Sequence, residues 1–286
     1  MLLGPPVLAV IVAAALYALG GRGGPVGGRE RAERRWRTAL FAAGLATILL
    51  AVSPPMDRLS DSLFWVHMLQ HVLLIEIAAP LIVLSRPWNR LWRPFPLTAR
   101  RTVARGVARG GWAAPVRWVG RVLAIPAAAF VVMNVALVAW HVPALYDAAL
   151  ANPLVHGLEH AAFFATALHF WAHLLGDGPF RARLTLPGRA AYAIGAMLVG
   201  WGLAVAIATA PSPLYTHYAD LASRPLGLSA LADQQLAAGV MWVPASVPWF
   251  SMAILCVYGW LDSGARRRGI ARALGGETLT TTEVQP

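Results

Sequence analysis

Seven stretches of this chain are apolar for long enough to cross a lipid bilayer, and that limits the fold more than any other feature. A helix needs roughly 20 mostly apolar residues to cross a hydrocarbon core about 30 Å thick. The stretches run near Leu3–Gly20, Thr38–Val52, Leu63–Leu84, Val122–Trp140, Leu154–Leu175, Ala190–Ala210 and Leu236–Leu261. Most are apolar on every face, as helices surrounded by lipid and by one another should be. Of the 286 residues 58% are hydrophobic and 13% charged, with a mean hydropathy of +0.57. A soluble domain carries about 25% charged residues. These values exclude a disordered chain, and the single cysteine excludes a disulfide-stapled secreted domain. The sequence predicts an all-α polytopic membrane bundle of seven transmembrane helices, forming one domain over residues 1–274. The threonine-rich Gly275–Pro286 reads as a disordered cytoplasmic tail.

Arginine sets the expected orientation. Every one of the 24 basic residues is an arginine, and only Arg58 and Arg224 fall in the loops of one side. Clusters such as Arg29–Arg37, Arg86–Arg121 and Arg266–Arg272 lie on the other, which the positive-inside rule places in the cytoplasm. The N-terminus is then outside and the C-terminus inside, as an odd number of spans demands. Arg22 follows the first apolar run instead of preceding it, so that run reads as a retained span and not as a cleaved signal. The net charge of +11 therefore reports topology and membrane lipid, with no nucleic-acid partner implied. Arg101, Arg105 and Arg109 recur at helical spacing and are followed by Trp112 and Trp118, the pattern of a short helix on an anionic leaflet. A plain topology signal explains the same arginines.

Ionisable groups in membrane helices are costly and mark functional candidates. His67 and His71 are four apart near the start of the third stretch, and His156 and His160 repeat the spacing at the start of the fifth, so each pair shares a helix face. Both pairs are expected at the outer end of the membrane. His141 ends the fourth stretch on that side, His217 follows the sixth, and Met241 lies at a comparable depth. Imidazole suits copper and zinc, and a nearby thioether tilts the choice toward Cu(I). Cys256 falls toward the inner side, so no thiolate joins them. Single membrane histidines also serve to join helices through hydrogen bonds. His169 and His173 turn to the opposite face of their helix, and Glu76 lies at a depth where it can pair with His169.

Two rival chemistries use the same residues. Histidine pairs on membrane helices also ligate haem b, although the spacing of thirteen in His156/His169 and His160/His173 does not keep one face, and the third stretch has no deep histidine. His156, Glu159 and His160 also fit the H-x-x-E-H pattern of an intramembrane zinc-dependent hydrolase. That class needs a further carboxylate ligand, for which only Asp220 or Asp233 is placed. No Gly-rich phosphate loop and no Ser/His/Asp elbow occurs.

Longer strings carry a resemblance. His67-Met68-Leu69-Gln70-His71 continuing to Ala79-Pro80-Leu81-Ile82-Val83-Leu84, then His141-Val142-Pro143-Ala144-Leu145-Tyr146-Asp147 with His156 and Glu159-His160, then Asp233-Gln234-Gln235 leading to Met241-Trp242-Val243-Pro244, resemble the multi-span CtaG family of cytochrome c oxidase assembly factors. The likeness covers most of Leu63 to Trp260. Leu236-Ala237-Ala238 stands where paired glycines are expected. The resemblance implies a non-enzymatic role in the bacterial inner (cell) membrane, maturing the oxidase and helping deliver copper to its catalytic subunit, which would be the partner. The expected ligands are His67, His71, His156 and His160, with His141, His217 and Met241 as auxiliaries, and Asp147, Glu159 and Asp233 as acceptors that orient the imidazoles. A scaffold whose histidines only join helices is the alternative within the family.

Overall fold

The computed structural model describes residues 4–21, 27–176 and 184–277. Helices are the only regular elements among them. In chain order they are α1 (Pro5–Gly20), α2 (Gly28–Ala51), α3 (Pro54–Ser60), α4 (Phe64–Val72), a π-helical turn (Leu73–Ala78), α5 (Ala79–Leu84), α6 (Trp88–Trp92), α7 (Leu97–Arg109), a 3₁₀ turn (Gly111–Ala113), α8 (Ala114–Leu123), α9 (Pro126–Trp140), α10 (Pro143–Ala151), α11 (Pro153–Leu175), α12 (Leu186–Ala208), α13 (Thr216–Ala219), a 3₁₀ turn (Pro225–Gly227) and α14 (Ala230–Glu277). Arg22, Arg181 and Arg183 lie outside the described residues. Of the tail expected at Gly275–Pro286, residues 275–277 continue α14 and the rest lies outside them.

Proline starts many of these helices, because its missing N–H is one that a first turn leaves unbonded anyway. It opens α1, α3, α9, α10 and α11. Gly176, at φ +72°, ends α11 in the left-handed conformation. Phe64–Leu84, Leu186–Ala208 and Ala230–Gly264 are long and apolar enough to cross a membrane. Two bent pairs, Gly28–Ala51 with Pro54–Ser60 (46°) and Gly111–Leu123 with Pro126–Trp140 (88°), bring the number to five if each is one span. By length and apolarity the described residues thus support three to five crossings. The 16-residue α1 is apolar but shorter, and the 23-residue α11 carries the half-buried His156 and His160 and the buried Glu159 and His173.

Two helices depart from the expected form, and proline explains both. The fourth apolar stretch breaks at Pro126, which cannot donate to the preceding turn. The Leu123 carbonyl freed there accepts from His169 Nε2 at 2.7 Å and His173 Nε2 at 2.9 Å. These two histidines therefore secure the α8–α9 elbow. The Glu76–His169 pair that their depths allowed is not seen among the described residues, His169 being engaged at this elbow instead. Likewise Pro80 cannot donate to the turn before it, and the chain widens into a π turn just upstream. The Ile75 carbonyl in that turn accepts from Trp171 Nε1 at 2.9 Å.

The core sits where α5, the π turn, α9, α11, α12 and α14 meet. Trp171 stacks on Trp249 and Phe170 on Tyr192, around Ile75, Met133 and Phe163. A second cluster at the other end of α4 gathers Phe64, Met68, Tyr146, Tyr215, Tyr218 and Met241. Val135, Val243, Val247 and Leu255 point outward, as lipid-facing residues do. Neither α7 nor α8 buries a residue, and Trp112 and Trp118 are exposed beside their arginines. Beyond α5, Arg90 donates to the Tyr17 carbonyl and to Thr38. That contact lies roughly 30 Å along the α4–α5 axis from Phe64.

Replacing both His169 and His173 by leucine should lower stability by about 1–3 kcal/mol through the stranded Leu123 carbonyl. Thermal unfolding in detergent would register the loss, and metal content should not change.

Candidate metal centre

The centre is built on the first two turns of α4 and of α11. The amide groups that open α4 have no cap from their own segment. Asp233 of α14 supplies one across the bundle, accepting from the Phe64 N–H at 2.8 Å and the Trp65 N–H at 3.1 Å. A carboxylate there also complements the positive end of the helix dipole. Gln70 fixes the next turn by donating to the Ala51 carbonyl at 2.7 Å. For α11 the cap is local, with Asn152 Oδ1 accepting from the Leu154 N–H at 2.9 Å.

So anchored, the two helices bring His67, His71, His156 and His160 together. Ring centroids are 4.5 Å apart for His67–His71, 5.0 Å for His67–His156, 5.3 Å for His71–His160 and 4.3 Å for His156–His160. Glu159 shares the α11 face at i+3 from His156 and points its two oxygens between the α4 imidazoles. They lie 3.6 Å from His67 Nε2 and 3.7 Å from His71 Nε2. Ligand atoms lie within 4.8 Å of one another in two sets, His67/His71/His160 and His67/His156/Glu159. Glu159 thus stands within one of the sets able to hold a metal ion, where sequence expected only an orienting acceptor.

The tautomer of His67 follows from its neighbours. Burial holds the Tyr218 phenol well above its ordinary pKa, so it keeps its proton. That proton goes to the Ser60 carbonyl at 2.6 Å, which leaves the phenol oxygen to accept from His67 Nδ1 at 3.2 Å. The proton of His67 therefore sits on Nδ1, and Nε2 turns a lone pair toward Glu159 and the other imidazoles. Around this point the buried atoms His67 Nε2, His71 Nδ1 and Nε2, His156 Nε2, His160 Nε2 and both Glu159 oxygens have no hydrogen-bond partner in the protein. Buried polar groups are nearly always paired. Such a concentration of lone pairs and one carboxylate fits a cation of the kind imidazole binds.

The other expected residues are distributed differently. His141 is buried one layer away, its ring 6.1 Å from that of His71. His217 donates Nε2–H to the Asp61 carbonyl at 2.9 Å and belongs to neither ligand set. Asp147 accepts from the Thr216 N–H and hydroxyl and the His217 N–H, so it holds α13 and orients no imidazole ring. Asp233 is corrected in the same way, since its oxygens face backbone amides. Met241 lines a cavity beside His71 and His141. Sequence reasoning missed Tyr218 of α13, which meets His67, and Ser60 of α3, whose carbonyl holds Tyr218; neither short helix carries a motif of its own.

Fold and cluster together describe a helical protein of membrane type with a buried imidazole–carboxylate site near one end of its bundle. Within that class the chain belongs to the cytochrome c oxidase caa3 assembly factor family (Caa3_CtaG), whose model matches residues 13–263. The resemblance read from His67–His71 and the strings beyond it is borne out. The chain is also similar to uncharacterized proteins of Mycobacterium bovis and Mycobacterium tuberculosis, each 25% identical over 262 residues, 91% of this chain and 38% of theirs. It thus spans about two-fifths of the length of these curated relatives. No solved structure matches it.

Asp233→Ala should remove the trans cap and cost about 1 kcal/mol of stability. Thermal unfolding would show the loss, and Asp233→Asn should recover part of it.

Proposed function

We propose that this chain, a member of an oxidase assembly factor family, binds copper as cargo at the His67/His71/His156/His160/Glu159 cluster and presents it to an apo cytochrome c oxidase subunit. The observation that carries the reading is the convergence of seven unpaired buried nitrogen and oxygen atoms from five side chains at one end of the bundle. Four neutral imidazoles and one carboxylate suit copper and hold it without thiolate, which favours release to a partner. In this reading the chain crosses the bacterial inner membrane seven times with its N-terminus outside, α1 and α11 being spans too. The cluster then lies under the outer surface, away from the arginine-rich α6–α8 segment. Copper arrives as cargo and leaves with the partner, so no substrate is turned over.

Neither rival gains support from the geometry. The hydrolase reading needs Asp220 or Asp233 as a ligand; Asp233 caps α4 and Asp220 belongs to neither ligand set. Ring centroids 4.3–5.9 Å apart leave no room for a porphyrin between the four histidines.

Protein purified without added metal should carry stoichiometric copper that His67→Ala/His71→Ala loses, read by elemental analysis, with oxidase assembly failing in the same cells. Unchanged copper in that variant would overturn the reading. Tyr218→Phe keeps the ring but removes the oxygen that accepts from His67 Nδ1, and should weaken copper binding about 10–100-fold. Protons compete for imidazole lone pairs, so copper affinity should fall as pH is lowered below neutrality in a competition titration.

A further inference from the structure

A cavity of about 50 Å³ lies directly beneath the cluster, between α4, the π turn, α9, α12 and α14. That space holds more than the roughly 10–15 Å³ that one water requires. Four of the chain's seven methionines line it, Met68, Met133, Met197 and Met241, each from a different helix, together with His71, His141 and Glu76. Only Met241 was singled out by sequence.

Its unusual contact is between His141 and Met68. His141 Nδ1 lies 2.7 Å from the Leu137 carbonyl, which can only accept, so Nδ1 carries the proton of the neutral ring. His141 Nε2 then faces Met68 Sδ at 3.3 Å, two lone-pair donors with no hydrogen between them. At a tetrahedral metal, bonds of about 2.0 Å to nitrogen and about 2.3 Å to sulfur would hold two such atoms roughly 3.5 Å apart. The observed separation is close to that of two ligands on one ion. A second polar group points the same way: Glu76 is buried, and its Oε2 has no partner.

We propose that this cavity is a second metal site, distinct from the imidazole–carboxylate cluster and selective for a soft monovalent cation such as Cu(I). His141 Nε2 and Met68 Sδ are its core ligands. The remaining thioethers supply a soft lining, since thioether and imidazole select Cu(I) over harder ions. Glu76 places a carboxyl group in the same space to offset the added charge. His71 joins the two compartments: its Nε2 lies 3.7 Å from Glu159, its ring lines the cavity, and both its nitrogens are unpaired. The inference rests on the copper reading for the identity of the cargo, and extends it from one holding site to two adjoining ones.

The full chain, purified in detergent and titrated anaerobically, should take up two equivalents of Cu(I) but one of Zn(II). Met68→Leu should reduce Cu(I) uptake to one equivalent and leave Zn(II) unchanged. His156→Ala/His160→Ala should abolish Zn(II) uptake while one Cu(I) remains. X-ray absorption of the Cu(I)-loaded unmodified protein should show a sulfur scatterer that Met68→Leu weakens, which excludes Cys256 as its source. A shell of nitrogen and oxygen alone at saturating Cu(I), or equal Cu(I) stoichiometry in Met68→Leu and the unmodified chain, would overturn the second site. Those results would leave the first site standing; loss of all metal from the unmodified chain would remove both.

Discussion

The bond from the Asp233 carboxylate to the first amides of α4 fixes the geometry on which the centre depends. The Phe64 amide is buried and the Trp65 amide half-buried, and away from water they need an acceptor from the protein. The acceptor comes from a helix 168 and 169 residues further along the chain, so one contact closes the bundle and sets the depth of α4 at once. His67 and His71 follow within two turns, and their position is inherited from that closure. Gln234, the next residue, performs a related task by accepting from the Leu214 N–H and donating to the Ile207 carbonyl. Neighbouring side chains at the head of α14 thus secure the start of α4 and the segment that leads from α12 toward Tyr218.

The histidines divide by what their nitrogens meet. His169, His173 and His217 turn an Nε2 to a backbone carbonyl and act as structural donors. His67 and His141 turn one nitrogen to a fixed acceptor and leave the other facing further donors of electron pairs. His71, His156 and His160 leave nitrogens without partners in the same neighbourhood. One residue type therefore serves two purposes in one bundle, and hydrogen-bond direction separates them where burial does not, since His173 is as buried as His67.

Much of this was legible in the sequence. The apolar stretches appear as helices with shifted ends, and the i,i+4 spacing placed the two histidine pairs on facing sides of α4 and α11. The breaks at Pro126 and ahead of Pro80 were not read, because both prolines sit inside apolar runs whose hydropathy does not change across them. Asp147 and Asp233 were placed near the right helices, but their partners are backbone groups, which leave no mark on side-chain pattern. Met68 was passed over because a methionine in an apolar run reads as packing. Its meaning appears only when Met133, Met197 and Met241 arrive from three other helices.

The π turn at Leu73–Ala78 has a consequence for how the two halves of this span are tuned. One extra residue in a turn shifts the angular phase between the helical segments on its two sides. The imidazole-bearing α4 is thereby offset in phase from α5, whose face packs on α2 and α11. The span can therefore aim its histidines at α11 from one end while its other end keeps the face that α2 and α11 cover.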